Sequence, residues 1–143
     1  MKVEIQPGCD DTSVVIRCPE VTADVEALAA KLRADDNRLP GVRDGVTHLI
    51  APDDVLYFES VDKRTFIYTT GAVYETPLRL YEIEQRLGPG FFRSSKAQIV
   101  NIAQIVWLCP DFGGRLEVGL PNDERLIISR HYAKQLKERL VAR

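Results

Sequence analysis

A length of 143 residues favours one domain, alone or with a short extension, over an assembly of several large domains. Hydrophobic residues at 45% and charged residues at 28% fit a folded protein in water, and no apolar stretch approaches the roughly 18 residues that cross a membrane. The formal net charge of −2 excludes a uniformly basic nucleic-acid binder, and the N-terminus lacks the apolar core of a signal peptide, which predicts a cytoplasmic protein.

The charges are distributed unevenly along the chain. Residues 1–59 carry 6 Lys and Arg against 12 Asp and Glu, a net charge of −6, whereas residues 60–143 carry 13 against 9, a net charge of +4. A polyanion would be attracted to the second stretch only. The alternative is that this difference is an accident of surface composition.

The first 40 residues predict two strands followed by a helix. The strands are expected at residues 2–6 and 13–17, where β-branched residues flank turn-forming ones. The helix is expected over residues 22–34, with Thr22 as its N-cap and acidic residues in its first turn. Its apolar face is formed at helical spacing by Val25, Leu28, Ala29 and Leu32. Turn-forming residues at 35–41 then mark the best candidate for a domain boundary.

From residue 41 onward the sequence predicts mainly strands. They are expected at residues 46–50, 55–60, 64–70, 104–109, 115–120 and 125–129, and residues 91–93 are also expected to be extended. Helices are expected at residues 77–87, with Thr76 as the cap, and from Ser129 or Arg130 onward. This order favours a mainly β, α+β domain with antiparallel pairing over alternating βαβ units.

No catalytic constellation can be assembled from the sequence. Motifs of nucleophilic serine enzymes, zinc proteases and phosphate-binding loops are absent, and the only histidines are His48 and His131. Cys9, Cys18 and Cys109 have neither the spacing of a zinc site nor the number of a disulfide framework, so we interpret them as buried or incidental thiols. The sequence therefore predicts no enzyme, no cofactor and no metal.

Three short basic clusters, each at a strand end or in a turn, are candidates for contacts with DNA. The clusters are Lys63-Arg64-Thr65, Arg93-Ser94-Ser95-Lys96 and Ser129-Arg130-His131. Arginine can bond the O6 and N7 atoms of guanine together, and a helix N-terminus beside Arg130 would favour phosphate. Basic residues in turns are often merely solvated, so the spacing alone leaves DNA binding open.

Three segments, taken in chain order, resemble the LytTR family of DNA-binding domains. They read DVLYFES at residues 54–60, FFRSSKAQIVN at 91–101 and LIISR at 126–130, and the similarity extends over about residues 42–140. The resemblance implies an elongated, mainly antiparallel β fold for residues 41–143. In that family, loops rather than a helix-turn-helix enter successive major grooves.

The resemblance places eight residues at the DNA: Lys63, Arg64, Thr65, Arg93, Ser95, Lys96, Arg130 and His131. Lys96 and Arg130 would contact bases, and Thr65 falls at the reading position of the first loop. The others would contact the DNA backbone or lie near it, although Arg93 also fits a structural role. Ser95 and Ala97 replace the His and Ser that the family often carries, which leaves the identity of the DNA sequence open.

The chain resembles free-standing LytTR regulators, which lack a receiver domain and are often encoded beside a small membrane protein that restrains them. We expect a homodimer on promoter repeats of double-stranded DNA, with residues 1–40 serving dimerisation or partner binding, or packing on the chain's own domain. The competing hypothesis is an interaction module of the same fold that no longer binds DNA. Asn101 also matches the family, and we expect it to satisfy backbone groups rather than to bind DNA.

Overall fold

A computed structural model describes residues 1–10, 13–33 and 37–141. The chain divides into two compact units, Met1–Arg33 and Ala34–Arg143. The last predicted residue of the first helix and the acidic turn after it, residues 34–36, lie outside the described residues. Within the described ranges, no helix combines the length and the apolar character needed to cross a membrane.

Among its described residues, the first unit contains one helix, α1 (Ala23–Arg33), close to its predicted position. Thr22 caps it, as expected: the hydroxyl of Thr22 accepts a hydrogen bond from the Val25 amide at 3.4 Å, and its carbonyl accepts one from the Glu26 amide at 3.0 Å. Acidic residues occupy the first turn and basic residues the last, which complements the helix dipole. The local sequence is therefore sufficient to explain where this helix begins.

The two strands predicted before α1 are wrong. The described residues at 2–6 and 13–17 form no β-ladder. A hairpin of only two strands is marginal in water unless one of its faces is buried. No described residue of this unit is buried, so the apolar surface that would stabilise such a ladder is not covered.

The described residues of the second unit form ten antiparallel strands in two sheets, with two α-helices. The strands are β1 (Leu39–Arg43), β2 (Val46–Ile50), β3 (Val55–Val61), β4 (Arg64–Thr69), β5 (Val73–Thr76), β6 (Phe91–Ser95), β7 (Gln98–Asn101), β8 (Trp107–Pro110), β9 (Leu116–Gly119) and β10 (Arg125–Ile128). The helices are α2 (Leu80–Leu87) and α3 (Arg130–Val141). The larger sheet has the order β2-β1-β5-β4-β3-β7-β6 and the smaller has the order β10-β9-β8. The predicted mainly β, antiparallel class is confirmed.

Several element boundaries differ from the prediction. β1, β5 and β7 were not expected, and α2 begins three residues later than predicted. Thr76 does not cap α2, because it ends β5, where it pairs with Thr65. Arg79 instead occupies the N-cap position, and its amide donates a hydrogen bond to the Glu82 carboxylate at 3.1 Å. The strand expected at residues 104–109 begins only at Trp107, because a 3-10 turn precedes it.

Helix α2 covers one face of the larger sheet. Its inward side chain Ile83 is fully buried and packs in one cluster with Phe58 of β3, Ile67 of β4 and Ile99 of β7. Burying side chains of this size contributes about 1.5–3 kcal/mol each. This cluster ties α2 to the central strands of the sheet.

The smaller sheet and α3 cover the opposite face. Val118 of β9, Ile128 of β10 and Leu136 of α3 are fully buried against Leu56 and Val100 of the larger sheet. The sheet is thus packed on both faces, by a helix on one side and by a sheet with a helix on the other. The relative positions of β6, α2 and α3 follow from these two cores.

Tyr57 adds a polar anchor to the second of these cores. Its ring stacks on Tyr68 at 4.2 Å between centroids, and its hydroxyl donates a hydrogen bond to the Glu124 carboxylate at 2.7 Å. Burial, and then the acceptor Glu124, raise the pKa of Tyr57 above its usual value. The hydroxyl is therefore held in its neutral, donating form.

Candidate nucleic-acid interface

Two hairpin turns with basic tips lie at the same end of the larger sheet. The β3–β4 turn carries Lys63, and the β6–β7 turn carries Lys96. β3 and β7 are neighbours, and the Ser60 amide donates to the Ala97 carbonyl at 2.8 Å just below both tips. The register of two adjacent strands therefore brings the first two basic clusters of the sequence together.

The β3–β4 turn has two residues, Asp62 and Lys63, both with positive φ, of 50° and 66°. This backbone matches the right-handed twist of the flanking strands and makes the tightest hairpin connection. Lys63 is exposed at the tip. Its carbonyl accepts a hydrogen bond from the Arg79 guanidinium at 3.1 Å, so the N-terminal end of α2 contacts this turn.

The Arg93 guanidinium contacts the backbone of the β6–β7 turn and a side chain of α2. Its Nε atom donates to the Ser95 carbonyl and its Nη2 atom to the Lys96 carbonyl, each at 3.1 Å, and its Nη1 atom pairs with Glu84 of α2. The Ser95 hydroxyl accepts a hydrogen bond from the Ala97 amide at 3.3 Å. The guanidinium of Arg93 thus faces the protein, whereas the Lys96 side chain is exposed.

A bulge at Ser94 connects this turn to the third basic cluster. The β6–β7 register shifts between Arg93 and Ser95, which leaves the Ser94 carbonyl outside the regular ladder. That carbonyl accepts a hydrogen bond from the Ser129 amide at 3.0 Å. The buried Ser94 hydroxyl donates to Gln98 at 3.0 Å. The hydrogen bond between Ser129 and Ser94 therefore holds the start of α3 beside the β6–β7 turn.

Arg130, the first residue of α3, is exposed next to this junction. The Ser129 carbonyl accepts hydrogen bonds from Tyr132 and Ala133, which begins the helix. The methylene stem of Arg130 lies over Gly114, where a Cβ atom would be only 3.0 Å from Arg130 Cγ. Gly114 also has a φ of +81°, so both the space and the backbone favour glycine there.

Two residues of the first cluster are less available than the sequence implied. Thr65 is only 3% exposed, because it faces the α2 side of the sheet, and its side chain cannot reach DNA in this structure. Arg64 forms an ion pair with Glu75 and lies over the Phe66 ring at 5.4 Å. The hydrogen bond from Arg64 lowers the pKa of the Glu75 carboxyl.

Three exposed cations at the turn end have no carboxylate partner among the described residues. In the described part of the chain, Lys63, Lys96 and Arg130 have no carboxylate within salt-bridge distance. Lys134 and Lys137 follow Arg130 at spacings of four and seven, so they share its face of α3 and extend the positive surface. Neither lysine belongs to one of the three basic clusters of the sequence, although their helical spacing is a visible signal.

Asn101 has the structural role that the sequence predicted. Its buried side-chain amide donates to the Val55 carbonyl at 2.9 Å, and its oxygen accepts from the Ala103 amide at 3.1 Å. It therefore satisfies backbone groups where β7 ends, well inside the domain.

The described residues contain no cluster of three or more His, Cys, Asp or Glu placed to hold a metal ion. Cys9, Cys18 and Cys109 are exposed rather than buried thiols.

Antiparallel sheets that present unpaired cations from turns at one end define a domain suited to reading a polyanion from loops. The model of the family described as the LytTr DNA-binding domain matches residues 45–141. That match covers more than half of the chain, and the chain belongs to the LytTr DNA-binding domain family.

Relatives from Staphylococcus aureus are similar over almost the whole sequence. The chain is 30% identical over 144 residues to an uncharacterized HTH-type transcriptional regulator of strain NCTC 8325, with 98% of each chain covered. It is 29% identical to another such regulator of strain MRSA252, with the same coverage. The label HTH-type does not describe the present fold, because strands separate each pair of helices in the described residues.

A solved structure shows the same fold. It is the LytTr DNA-binding domain of a protein from Bacillus cereus described as a methyl-accepting/DNA response regulator. The TM-score is 0.69 at 24% sequence identity, over 72% of this chain and 95% of that chain.

Proposed function

We propose that this chain is a sequence-specific, cytoplasmic transcription regulator that reads the major grooves of promoter repeats with loop side chains and has no catalytic activity. The observation that supports this most directly is the convergence of three basic clusters at one end of the larger sheet. The family match and the regulators among its relatives support the same function.

The residues divide into three groups by their surroundings. Lys96 and Arg130 are exposed and are proposed to contact bases. Lys63 and Ser95 are proposed to contact phosphates or to lie beside them, with Arg64 and His131 at the margin. Thr65 is left out of the interface because it is buried.

The first unit is proposed to mediate homodimerisation. Several of its apolar side chains are exposed, with Val3, Ile5 and Val15 at 77%, 87% and 77% exposure. Exposed apolar surface of this kind is typical of interaction sites. The relatives match 98% of this chain, so they share the segment. A small membrane protein that restrains the regulator is the alternative partner.

The test is a fluorescence-anisotropy titration of the chain with the promoter of its own operon and with a scrambled duplex. We expect tight binding to the promoter alone, weakening more than about tenfold between about 50 mM and about 200 mM salt, because phosphate contacts release counterions. A folded protein that binds neither duplex at low salt would favour the interaction module without DNA binding.

A further inference from the structure

Helix α2 contacts both hairpin turns of the candidate interface. At its N-cap, the Arg79 side chain donates to the carbonyl of Lys63 in the β3–β4 turn at 3.1 Å. On its exposed side, Glu84 pairs with Arg93. The Arg93 guanidinium in turn donates hydrogen bonds to the Ser95 and Lys96 carbonyls of the β6–β7 turn. No other described helix makes side-chain hydrogen bonds to both turns.

The contacts at Arg93 orient the turn as well as stabilising it. An arginine guanidinium is planar, with donors in a fixed fork. Here one edge binds the carbonyls of Ser95 and Lys96, and the other is held by Glu84. Rotation of the turn about its strands would break these bonds together. The backbone under the Lys96 side chain is therefore fixed relative to α2.

Arg79 fixes the β3–β4 turn relative to α2 in the same way. Its backbone is fixed by the Glu82 carboxylate at its amide and by the Ile83 amide at its carbonyl, at 3.1 Å each. Ile83 in turn is fully buried in the core under α2. The guanidinium that reaches Lys63 is thus carried by a rigid part of the chain.

We propose that Arg79, Glu84 and Arg93, together called the α2 brace, are positioning residues that set the spacing between the Lys63 and Lys96 tips. This inference rests on the proposed function. Base contacts require side chains held close to one geometry, and preorganisation before binding removes the cost of ordering them. The α2 brace contributes to discrimination between DNA sequences and makes no contact with DNA itself.

The competing role for Arg93 and Arg79 is direct contact with phosphate, and the two roles have different signatures. Loss of a phosphate contact weakens all DNA alike and reduces the slope of log affinity against log salt by about 0.9. Loss of a positioning residue leaves that slope unchanged and reduces the ratio of cognate to scrambled affinity. A general loss of folded protein would lower both affinities equally.

The variants are Arg93→Lys, Glu84→Gln and Arg79→Gln, titrated by anisotropy on cognate and scrambled duplexes over a range of salt. Glu84→Gln is the most informative variant. On electrostatic grounds alone, the loss of an acidic charge strengthens binding to any DNA, whereas the loss of positioning reduces the cognate-to-scrambled ratio. Glu138→Gln, on the exposed side of α3, is the matched control for that charge. Thermal unfolding of each variant establishes that it is folded.

We expect Arg93→Lys and Glu84→Gln to reduce the cognate-to-scrambled ratio on the order of tenfold, with an unchanged salt slope, while Glu138→Gln preserves the ratio. A slope smaller by about 0.9 with an intact ratio would make Arg93 a phosphate contact and overturn the inference. Ratios equal to wild type in all three variants would overturn it as well.

Amide hydrogen exchange separates this inference from the proposed function. The α2 brace predicts faster exchange at Lys96 and Ala97 in Glu84→Gln and at Lys63 and Arg64 in Arg79→Gln, without any DNA present. Unchanged exchange in the turns would overturn the α2 brace even if wild type binds DNA. Wild type that binds no duplex, with the exchange changes present, would overturn the proposed function and the role in discrimination but leave the mechanical contact intact.

Discussion

The two compact units of this chain differ in how far their apolar side chains are buried. In Ala34–Arg143, Phe58 and Leu136 are completely buried in cores on opposite faces of one sheet. In Met1–Arg33, no described residue is buried, and Ile5 is 87% exposed. Because burial of apolar area is the main favourable contribution to folding, the second unit supplies the stability. The first retains apolar surface that a partner can cover.

The largest effect should come from emptying the core of the second unit. Phe58→Ala removes a fully buried ring between α2 and the sheet and should cost about 3–5 kcal/mol of unfolding free energy, measured by chemical denaturation. Ile5→Ala in the first unit should stay within about 0.5 kcal/mol of wild type. Similar losses in both variants would contradict the difference between the units.

Arg130→Ala should weaken binding to the cognate promoter by about 1–3 kcal/mol and leave binding to scrambled DNA nearly unchanged, as measured by anisotropy. The reason is the loss of the proposed base contact from a guanidinium that is exposed and has no carboxylate partner among the described residues. Arg43→Ala is the matched control, since β1 runs away from the two turns and Arg43 ends it. Equal losses on both duplexes would show that Arg130 contacts phosphate instead.

Tyr57→Phe should cost about 1 kcal/mol, because it removes the hydrogen bond to Glu124 while preserving the stacked ring. The raised pKa of Tyr57 also gives a pH dependence. Its stabilisation is complete below the unfolded tyrosine pKa of about 10 and falls as the pH rises above that value. Denaturation curves at neutral and strongly alkaline pH measure both effects, and a wild type whose stability is flat across that range would argue against the buried hydroxyl.

The smallest effect on stability should follow from removing the first unit. A chain of residues 37–143 keeps Leu39, which is fully buried, and should unfold within about 0.5 kcal/mol of the full chain when both are compared as monomers. Light scattering on the two proteins should show a dimer only for the full chain. A dimer of the shortened chain would move the proposed dimer contact into residues 37–143.

Much of the second unit could be predicted because its signals are local. β3 and β4 are runs of β-branched and aromatic residues, and Ser129 introduces α3 where the sequence indicated. β1 was missed because Pro40 and Gly41 predict a break. In the structure Gly41 serves packing, since a Cβ atom there would lie 2.8 Å from Tyr74 Cβ. Tyr74 is more than 30 residues away, so no local pattern could reveal this contact.

The candidate site shows the same limit. The sequence located three basic clusters, but it could not tell which side chains point outward. Thr65 is buried and Arg64 is exposed, because adjacent residues of a strand face opposite sides of the sheet. Thr65 faces the side that α2 covers. The contacts of Arg79 with Lys63 and of Arg93 with Glu84 join elements whose spacing carries no motif.

Lys63 is a charged residue in a backbone conformation that is unfavourable for any residue with a side chain. A φ of 66° suits glycine, and a residue with a side chain gives up on the order of 1 kcal/mol to adopt it. Replacing Lys63 by glycine should therefore raise the melting temperature while it weakens DNA binding and lowers the salt slope by about 0.9. On the proposed function, selection for stability and selection for activity oppose each other at Lys63. A screen for thermostable variants would then discard the lysine that a screen for DNA binding retains.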